Sequence, residues 1–274
     1  MPELPEVETV RRILGPQLTG RTIRKTTLLF PGIAAHPDPE GFIQGTEGRR
    51  ILGVERHGKF LRFALDDGAA LSLHLRMTGC LLRAPTDFPM EKHTHAVFEL
   101  DDGSELRYTD LRRFGRFWLL APNEEDVYTG MAVLGPDPFS PEATGVYLQA
   151  RLSGSKRAIK SCLLDQGVLA GLGNIYTDES LFLSGIAPTR RACDLKSKEW
   201  EQLMYSIRDV LETALSANSM TPEEYLQGLG RAYRNGPTLQ VYGRGGQPCA
   251  RCGQPLEAIR LGGRTSCFCP HCQK

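Results

Sequence analysis

Four cysteines in the last 26 residues, Cys249-x2-Cys252 and, sixteen residues on, Cys269-x2-Cys272, limit what this chain can fold into more than any other feature. Two such pairs can set four thiolates at the corners of a tetrahedron, the closed donor set of a structural Zn2+ site with no open coordination position. The metal therefore holds a small module together and leaves the chemistry to other residues. Cys267 competes with Cys269 for one corner, but Cys269-Pro270-His271-Cys272 restores the two-residue spacing of the first pair. Cys80, Cys162, Cys193 and Cys267 read as spare or buried thiols. A disulfide framework would need an oxidising compartment. The opening Met1-Pro2-Glu3-Leu4-Pro5-Glu6-Val7-Glu8 carries three glutamates and no apolar run, and nowhere do eighteen uncharged apolar residues follow one another. The expectation is a soluble, cytoplasmic chain with no membrane partner.

The net charge of +1 hides a segregation of signs. From Arg231 to Lys274 six Arg and one Lys face the single acid Glu257, a formal +6. A Zn2+ held by four thiolates leaves about +4, still enough to favour a polyanion. Arg151, Lys156, Arg157 and Lys160 form a second basic run without an acid. Taken alone, either run is equally a solvated surface.

Hydrophobic periodicity divides the chain in two. Leu4, Val7, Val10, Ile13 and Leu14 recur at helical spacing after Pro2, with Glu3, Glu6 and Glu8 in the early turns, where the helix dipole favours anions. From Thr22 to about Leu120 the period falls to two. Leu61, Phe63 and Leu65 alternate, Asp66-Asp67-Gly68 turns the chain, and Leu71, Leu73, Leu75 and Met77 alternate again. Ala96, Phe98 and Leu100 repeat the pattern around Asp101-Asp102-Gly103. This half is a β-sandwich or barrel. After a Gly- and Pro-rich stretch, Trp200, Leu203, Met204, Ile207, Val210, Leu211, Ala214 and Leu215 form one helical stripe. Between them, Gln166 to Gly173 makes two turns and Asn174-Ile175-Tyr176 opens a helix. Asn174 stands at its N-cap, where outward-facing amides can hold a phosphate, or where it serves only to cap its own helix.

Met1-Pro2-Glu3-Leu4-Pro5-Glu6-Val7-Glu8-Thr9, His74-Leu75-Arg76-Met77, Asp110-Leu111-Arg112-Arg113-Phe114-Gly115, Gly171-Leu172-Gly173-Asn174-Ile175-Tyr176, Val241-Tyr242-Gly243-Arg244 and the cysteine pairs follow in this order. Each motif is weak alone. The ordered set resembles the formamidopyrimidine-DNA glycosylase family over nearly the whole chain. The resemblance implies an α+β fold of two domains: an N-terminal β-sandwich carrying a catalytic helix, and a C-terminal helix-two-turn-helix domain plus zinc finger. The boundaries expected are 1–125 for the sandwich, 126–147 for a linker, 148–235 for the helical domain and 236–274 for the finger. The partner implied is double-stranded DNA containing oxidised bases or abasic sites, bound by a monomer.

The resemblance also implies roles. Pro2, exposed once Met1 is removed, attacks C1′ of the damaged nucleotide. An α-amine with a pKa near 8 is about a tenth free base at neutral pH, whereas an ordinary lysine is well under a thousandth. A secondary amine gives an iminium with no N–H to lose, so the electron sink stays cationic through elimination. Glu3 resembles the family's general acid/base, Glu6 its neighbouring carboxylate, and Lys59 the proton donor in β-elimination. Arg264 and Asn174 resemble a phosphate clamp, and Arg264 assists δ-elimination. Met77, Arg112 and Phe114 resemble the residues that fill the space left by an extruded base. Met77 alone would read as core, because it continues the alternation of Leu71, Leu73 and Leu75. His93, Arg151 and Lys156 match DNA-contacting positions.

The pattern departs from the family in two places: the aromatic usually found a few residues before Val241-Tyr242-Gly243-Arg244 is displaced, with Tyr233 and Gly228-Leu229-Gly230 nearby, and the recognition loop differs. The lesion-recognition loop usually runs Gly-Gly-Ser/Thr-Thr, but Ala217-Asn218-Ser219-Met220-Thr221-Pro222-Glu223-Glu224 stands here, and Thr221-Pro222 resembles a helix start. Two other readings compete. One is the endonuclease VIII branch, which removes oxidised pyrimidines, although that branch usually opens Pro-Glu-Gly where Leu4 stands here. The other is a catalytically silent DNA-binding homologue, against which Pro2, Glu3 and Lys59 together speak.

Overall fold

The computed structural model describes residues 2–274. Its elements run α1 (Leu4–Leu18), β1 (Ile23–Leu28), β2 (Ala34–His36), α2 (Pro39–Thr46), β3 (Ile51–His57), β4 (Phe60–Leu65), β5 (Ala70–His74), β6 (Gly79–Pro85), β7 (Thr94–Leu100), β8 (Ser104–Asp110) and β9 (Arg116–Leu120). They continue through α3 (Gly145–Leu152), α4 (Ile159–Leu163), α5 (Asn174–Ser184), α6 (Ser197–Ala217), α7 (Pro222–Gln227), β10 (Glu257–Leu261) and β11 (Arg264–Phe268). The chain forms two compact units. One holds Pro2 with residues 6–132 and 219–233, and the other holds 3–5, 133–218 and 234–274.

In the first unit a four-stranded sheet, β1-β7-β8-β6, packs on a five-stranded sheet, β2-β9-β5-β4-β3. The open choice between sandwich and barrel thus resolves as a sandwich. The two Asp-Asp-Gly turns join β4 to β5 and β7 to β8 as antiparallel hairpins. Leu61, Phe63 and Leu65 face the core with Leu71, Leu73 and Leu75, and α1 adds Val7, Val10, Ile13, Leu14 and Leu18. An aromatic junction ties the sheets: the Phe117 ring lies 5.7 Å from Phe98, 5.9 Å from Phe42 and 5.1 Å from Tyr108. Such edge contacts add about 0.5–1.5 kcal/mol each beyond the area they bury.

The segment 219–233 differs from its expected place in the helical half. Thr221 caps α7, its hydroxyl accepting from the Glu224 amide at 3.2 Å while the Glu224 carboxylate accepts from the Thr221 amide at 2.9 Å. The predicted helix start is therefore present, with Pro222 in the first turn. Tyr225 is buried in the sandwich core and donates to the Leu81 carbonyl at 2.9 Å. Arg231 donates to Glu91 and to the Thr109 hydroxyl. Tyr225, Arg231 and the Cys80 thiol, which donates to the Leu229 carbonyl at 3.2 Å, hold the segment there, and no periodicity announces it.

In the second unit the stripe from Trp200 to Leu215 is buried along α6, against Leu148, Leu163, Leu169, Leu172, Tyr176 and Leu181. Asn218, at the end of this helix, is fully buried, and its side-chain carbonyl accepts from the amides of Arg234 and Asn235 at 2.7 and 3.2 Å. It closes the base of the segment 219–233. Among the described residues no helix is long and apolar enough to cross a membrane.

Candidate functional site

In the first unit the structure brings Met77, Arg112 and Phe114 together. The strand β5 ends at His74, so Met77 escapes the alternation and is 41% exposed, and the core reading of Met77 fails. The Arg112 guanidinium lies 2.8 Å from the Met77 sulfur and 4.6 Å from the centre of the Phe114 ring, which is 46% exposed. Two turns carry this tip, and each contains an arginine in the left-handed region, Arg76 (φ 55°) and Arg113 (φ 57°). Sustaining that conformation without glycine costs about 1–3 kcal/mol per residue.

Lys59 is half-buried in the β3–β4 turn. Near it stands His74, to which the sequence alone assigns no role. Burial, then the charges of Arg76 and Lys59, push the His74 imidazole down to about 3. It is neutral at pH 7, with Nδ1 accepting from the Arg76 amide at 2.9 Å and Phe60 set edge-on to its ring. Pro2 and Glu6 are buried. Glu8 is structural. Burial raises its carboxyl, but hydrogen bonds from Arg11 and Arg12 and the Arg56 charge outweigh this and hold it at about 2. His93 is half-buried ahead of β7, and its carbonyl accepts from the Asp110 amide at 3.0 Å.

In the second unit Glu3 is buried at the N-terminus of α5, where its carboxylate accepts from the amides of Ile175 and Tyr176 at 3.1 and 3.4 Å. This corrects the expectation for Asn174: Gly173 is the N-cap, Asn174 is the first helical residue, and two amides of that helix end belong to Glu3. Glycine is required twice in the turn before the helix. A Cβ on Gly173 would stand 2.3 Å from the Glu3 carboxylate, and one on Gly171 (φ +97°) 2.7 Å from Leu4. The Leu4 amide donates to the Gly171 carbonyl at 3.1 Å, and the Gln166 side chain braces the turn by accepting from the Gly171 amide and donating to the Leu172 carbonyl.

The Asn174 side-chain amide donates to the carbonyl of Thr265 at 2.9 Å, the residue that follows the exposed Arg264 in the chain. What holds the β10–β11 hairpin here is a buried ion pair. Lys160 and Asp178 are 0% and 1% exposed and 2.7 Å apart, and Lys160 also donates to the Thr265 carbonyl at 3.1 Å. The Asp178 carboxylate accepts from the Ser266 hydroxyl and the Cys267 amide. Lys160 therefore leaves the surface run in which its sequence neighbourhood placed it. Glu179, also buried, accepts from the consecutive amides of Gln240, Val241 and Tyr242 at 2.7–2.9 Å and so fixes the Val241-Tyr242-Gly243-Arg244 turn. Arg151 and Lys156 are exposed, Arg151 in the last turn of α3 and Lys156 beyond it.

The Sγ atoms of Cys249, Cys252, Cys269 and Cys272 all lie within 4.8 Å of one another. Two of the separations are 3.9 Å and 3.5 Å, against the ~3.8 Å edge of a tetrahedron with Zn–S bonds of about 2.3 Å. The amides of Arg251 and Cys272 donate to the sulfurs of Cys249 and Cys269, as thiolate ligands require. The donor set fits one structural zinc. Cys267 is buried in β11, outside the cluster.

A sandwich unit and a helix-two-turn-helix unit that ends in a four-thiolate finger define the class of protein. Three family models match in chain order: the formamidopyrimidine-DNA glycosylase N-terminal domain over residues 1–117, the formamidopyrimidine-DNA glycosylase H2TH domain over 134–225, and the zinc finger found in FPG and IleRS over 246–274. The formamidopyrimidine-DNA glycosylase of Geobacillus kaustophilus is 46% identical over the whole of both chains. That of Moorella thermoacetica is 46% identical over 95% of each. The Lactococcus lactis Fpg solved with abasic-site DNA superposes with a TM-score of 0.90 at 35% identity, covering 99% of each chain. The same enzyme has been solved with Fapy-dG and with an oxidised pyrimidine. The chain belongs to the formamidopyrimidine-DNA glycosylase family and is a DNA glycosylase.

Proposed function

We propose that this chain is a bifunctional DNA glycosylase and abasic-site lyase of base excision repair, removing formamidopyrimidine and 8-oxoguanine from double-stranded DNA. The free Pro2 amine attacks C1′, the glycosidic bond breaks, and the base leaves with the bonding pair. Glu3 moves the protons of base loss and ring opening, with Glu6 as its neighbouring carboxylate. Lys59 serves the β-elimination, and Arg264 with Asn174 grips the phosphate beside the lesion and serves the δ-elimination. Met77, Arg112 and Phe114 fill the stack, while His93, Arg151 and Lys156 meet the duplex. The observation that carries this reading is the socket for Glu3. A carboxylate next to the attacking amine is buried against helix amides, with Gly173 leaving room for it and Gly171 leaving room for its neighbour Leu4.

Single-turnover excision on duplexes bearing formamidopyrimidine, 8-oxoguanine, thymine glycol or an abasic site tests the proposal. Formamidopyrimidine and the abasic site are expected to react fastest. The helical segment from Thr221 lacks the glycine pair that would let a loop wrap 8-oxoguanine. Loss of two hydrogen bonds to that base costs roughly 1–3 kcal/mol, about five- to a hundred-and-fiftyfold in rate if they strengthen in the transition state. Ala217→Gly probes this, whereas Asn218, a buried clamp, is left intact. Thymine glycol outrunning both purines would favour the endonuclease VIII reading. Binding to abasic DNA without any excision would favour the silent homologue.

A further inference from the structure

The exposed tip of Met77, Arg112 and Phe114 rests on one buried carboxylate. Asp110 ends β8 and is 0% exposed. One of its oxygens accepts from the Thr78 hydroxyl and from the Arg112 amide, and the other accepts from the Gly115 amide at 2.8 Å and the Tyr108 hydroxyl at 3.1 Å. Thr78 follows Met77 in the β5–β6 turn, whereas Arg112 and Gly115 belong to the β8–β9 turn, so this single side chain staples two turns 32 residues apart in sequence. The Thr78 hydroxyl also accepts from the Arg112 amide at 3.1 Å, closing the ring of bonds.

The surroundings are built for this staple. A Cβ on Gly115 would stand 1.7 Å from the Tyr108 hydroxyl, and one on Gly79 2.6 Å from it, so both glycines let the phenol reach Asp110. His95 donates to the Asp110 backbone carbonyl at 2.8 Å. The charge is balanced by hydrogen-bond donors. Burial raises the Asp110 carboxyl, but bonds from Thr78, Gly115, Arg112 and Tyr108 outweigh this and lower it. A charged acceptor makes bonds about twice as strong as a neutral one. Its geometry is correspondingly stiff.

We propose that Asp110 is the positioning residue for base extrusion: it locks the two turns as one rigid wedge, so that Met77, Arg112 and Phe114 enter the DNA stack together. It touches no reacting atom. The inference rests on the role proposed above for those three side chains. An organised wedge enters in one step, whereas two loose turns must be ordered during entry and slow it.

The test is stopped-flow fluorescence of 2-aminopurine placed beside an 8-oxoguanine in duplex DNA, with borohydride trapping on an abasic site in a bulge that is already unpaired. Asp110→Asn keeps the volume but turns an N–H toward the Gly115 amide and the Tyr108 hydroxyl. It should slow the extrusion phase at least tenfold, with trapping on the bulged site changed less than threefold. Thr78→Val and Tyr108→Phe each remove one donor, and should slow extrusion two- to fivefold in proteins that fold normally should Asp110→Asn not. Equal slowing of both readouts, or no effect of any variant on extrusion, overturns the proposal. A wild type that neither extrudes nor traps refutes the functional reading instead.

Discussion

Glu3→Gln is expected to lower single-turnover excision of formamidopyrimidine by about 10²–10⁴-fold, the usual worth of a positioned general acid/base. The effect should separate from folding. Glutamine keeps one carbonyl that can accept from the Ile175 amide, turns its NH2 toward the more distant Tyr176 amide, and matches in volume the space that Gly173 leaves. Weakening one bond to a neutral acceptor and setting two donors face to face costs roughly 1–3 kcal/mol, on the order of 10 degrees of melting temperature at most. Cleavage of a preformed abasic site should suffer less, because the base has already gone and the opened sugar offers an aldehyde that the Pro2 amine can attack directly. Excision within threefold of wild type, in a protein with an unchanged melting temperature, would remove Glu3 from the mechanism.

Cys249→Ser is expected to reduce bound zinc from one per chain to none and to weaken binding to abasic-site DNA by at least tenfold. The finger, residues 246–274, falls below the ~40 residues at which a chain usually supports its own core. Its apolar cluster is small: Phe182, Val241 and Leu256 beside the cysteines themselves. Structural zinc contributes about 10–16 kcal/mol in isolated fingers, so without it the hairpin that carries Arg264 loses its main source of order. The Lys160–Asp178 pair then loses the Ser266, Cys267 and Thr265 partners that satisfy it. Elemental analysis and a binding titration decide the matter. Metal-free protein with full affinity for abasic DNA would show that the finger is dispensable.

Where hydrophobic period and turn chemistry agree, the fold was legible in the sequence. The Asp66-Asp67-Gly68 and Asp101-Asp102-Gly103 hairpins, the α6 stripe, the Thr221-Pro222 helix start and the four-cysteine cluster all follow from local rules, and the structure has each of them. What was not legible depends on partners distant in sequence. Lys160 looked like one more surface cation because nothing nearby marks Asp178 as its counter-charge. Asn174 looked like an N-cap because the residue that caps those amides, Glu3, lies about 170 positions away. Met77 continued a strand alternation that the strand itself does not continue, because the chain turns at Arg76 in the left-handed region. Asp110 opened a recognised motif and Glu179 lay just beyond one, yet their work, four donors on one and three backbone amides on the other, appears only in three dimensions.

The N-terminal proline is expected to be the nucleophile, and borohydride trapping locates the nitrogen that reacts. Reduction during turnover on an 8-oxoguanine or abasic duplex converts an iminium to a stable amine, and mass mapping of the digested adduct locates the bond. One covalent link per chain is expected, on Pro2 of protein whose Met1 has been removed, and none when Met1 is retained. An adduct mapped to Lys59 or any other lysine in protein with a free Pro2 would contradict it.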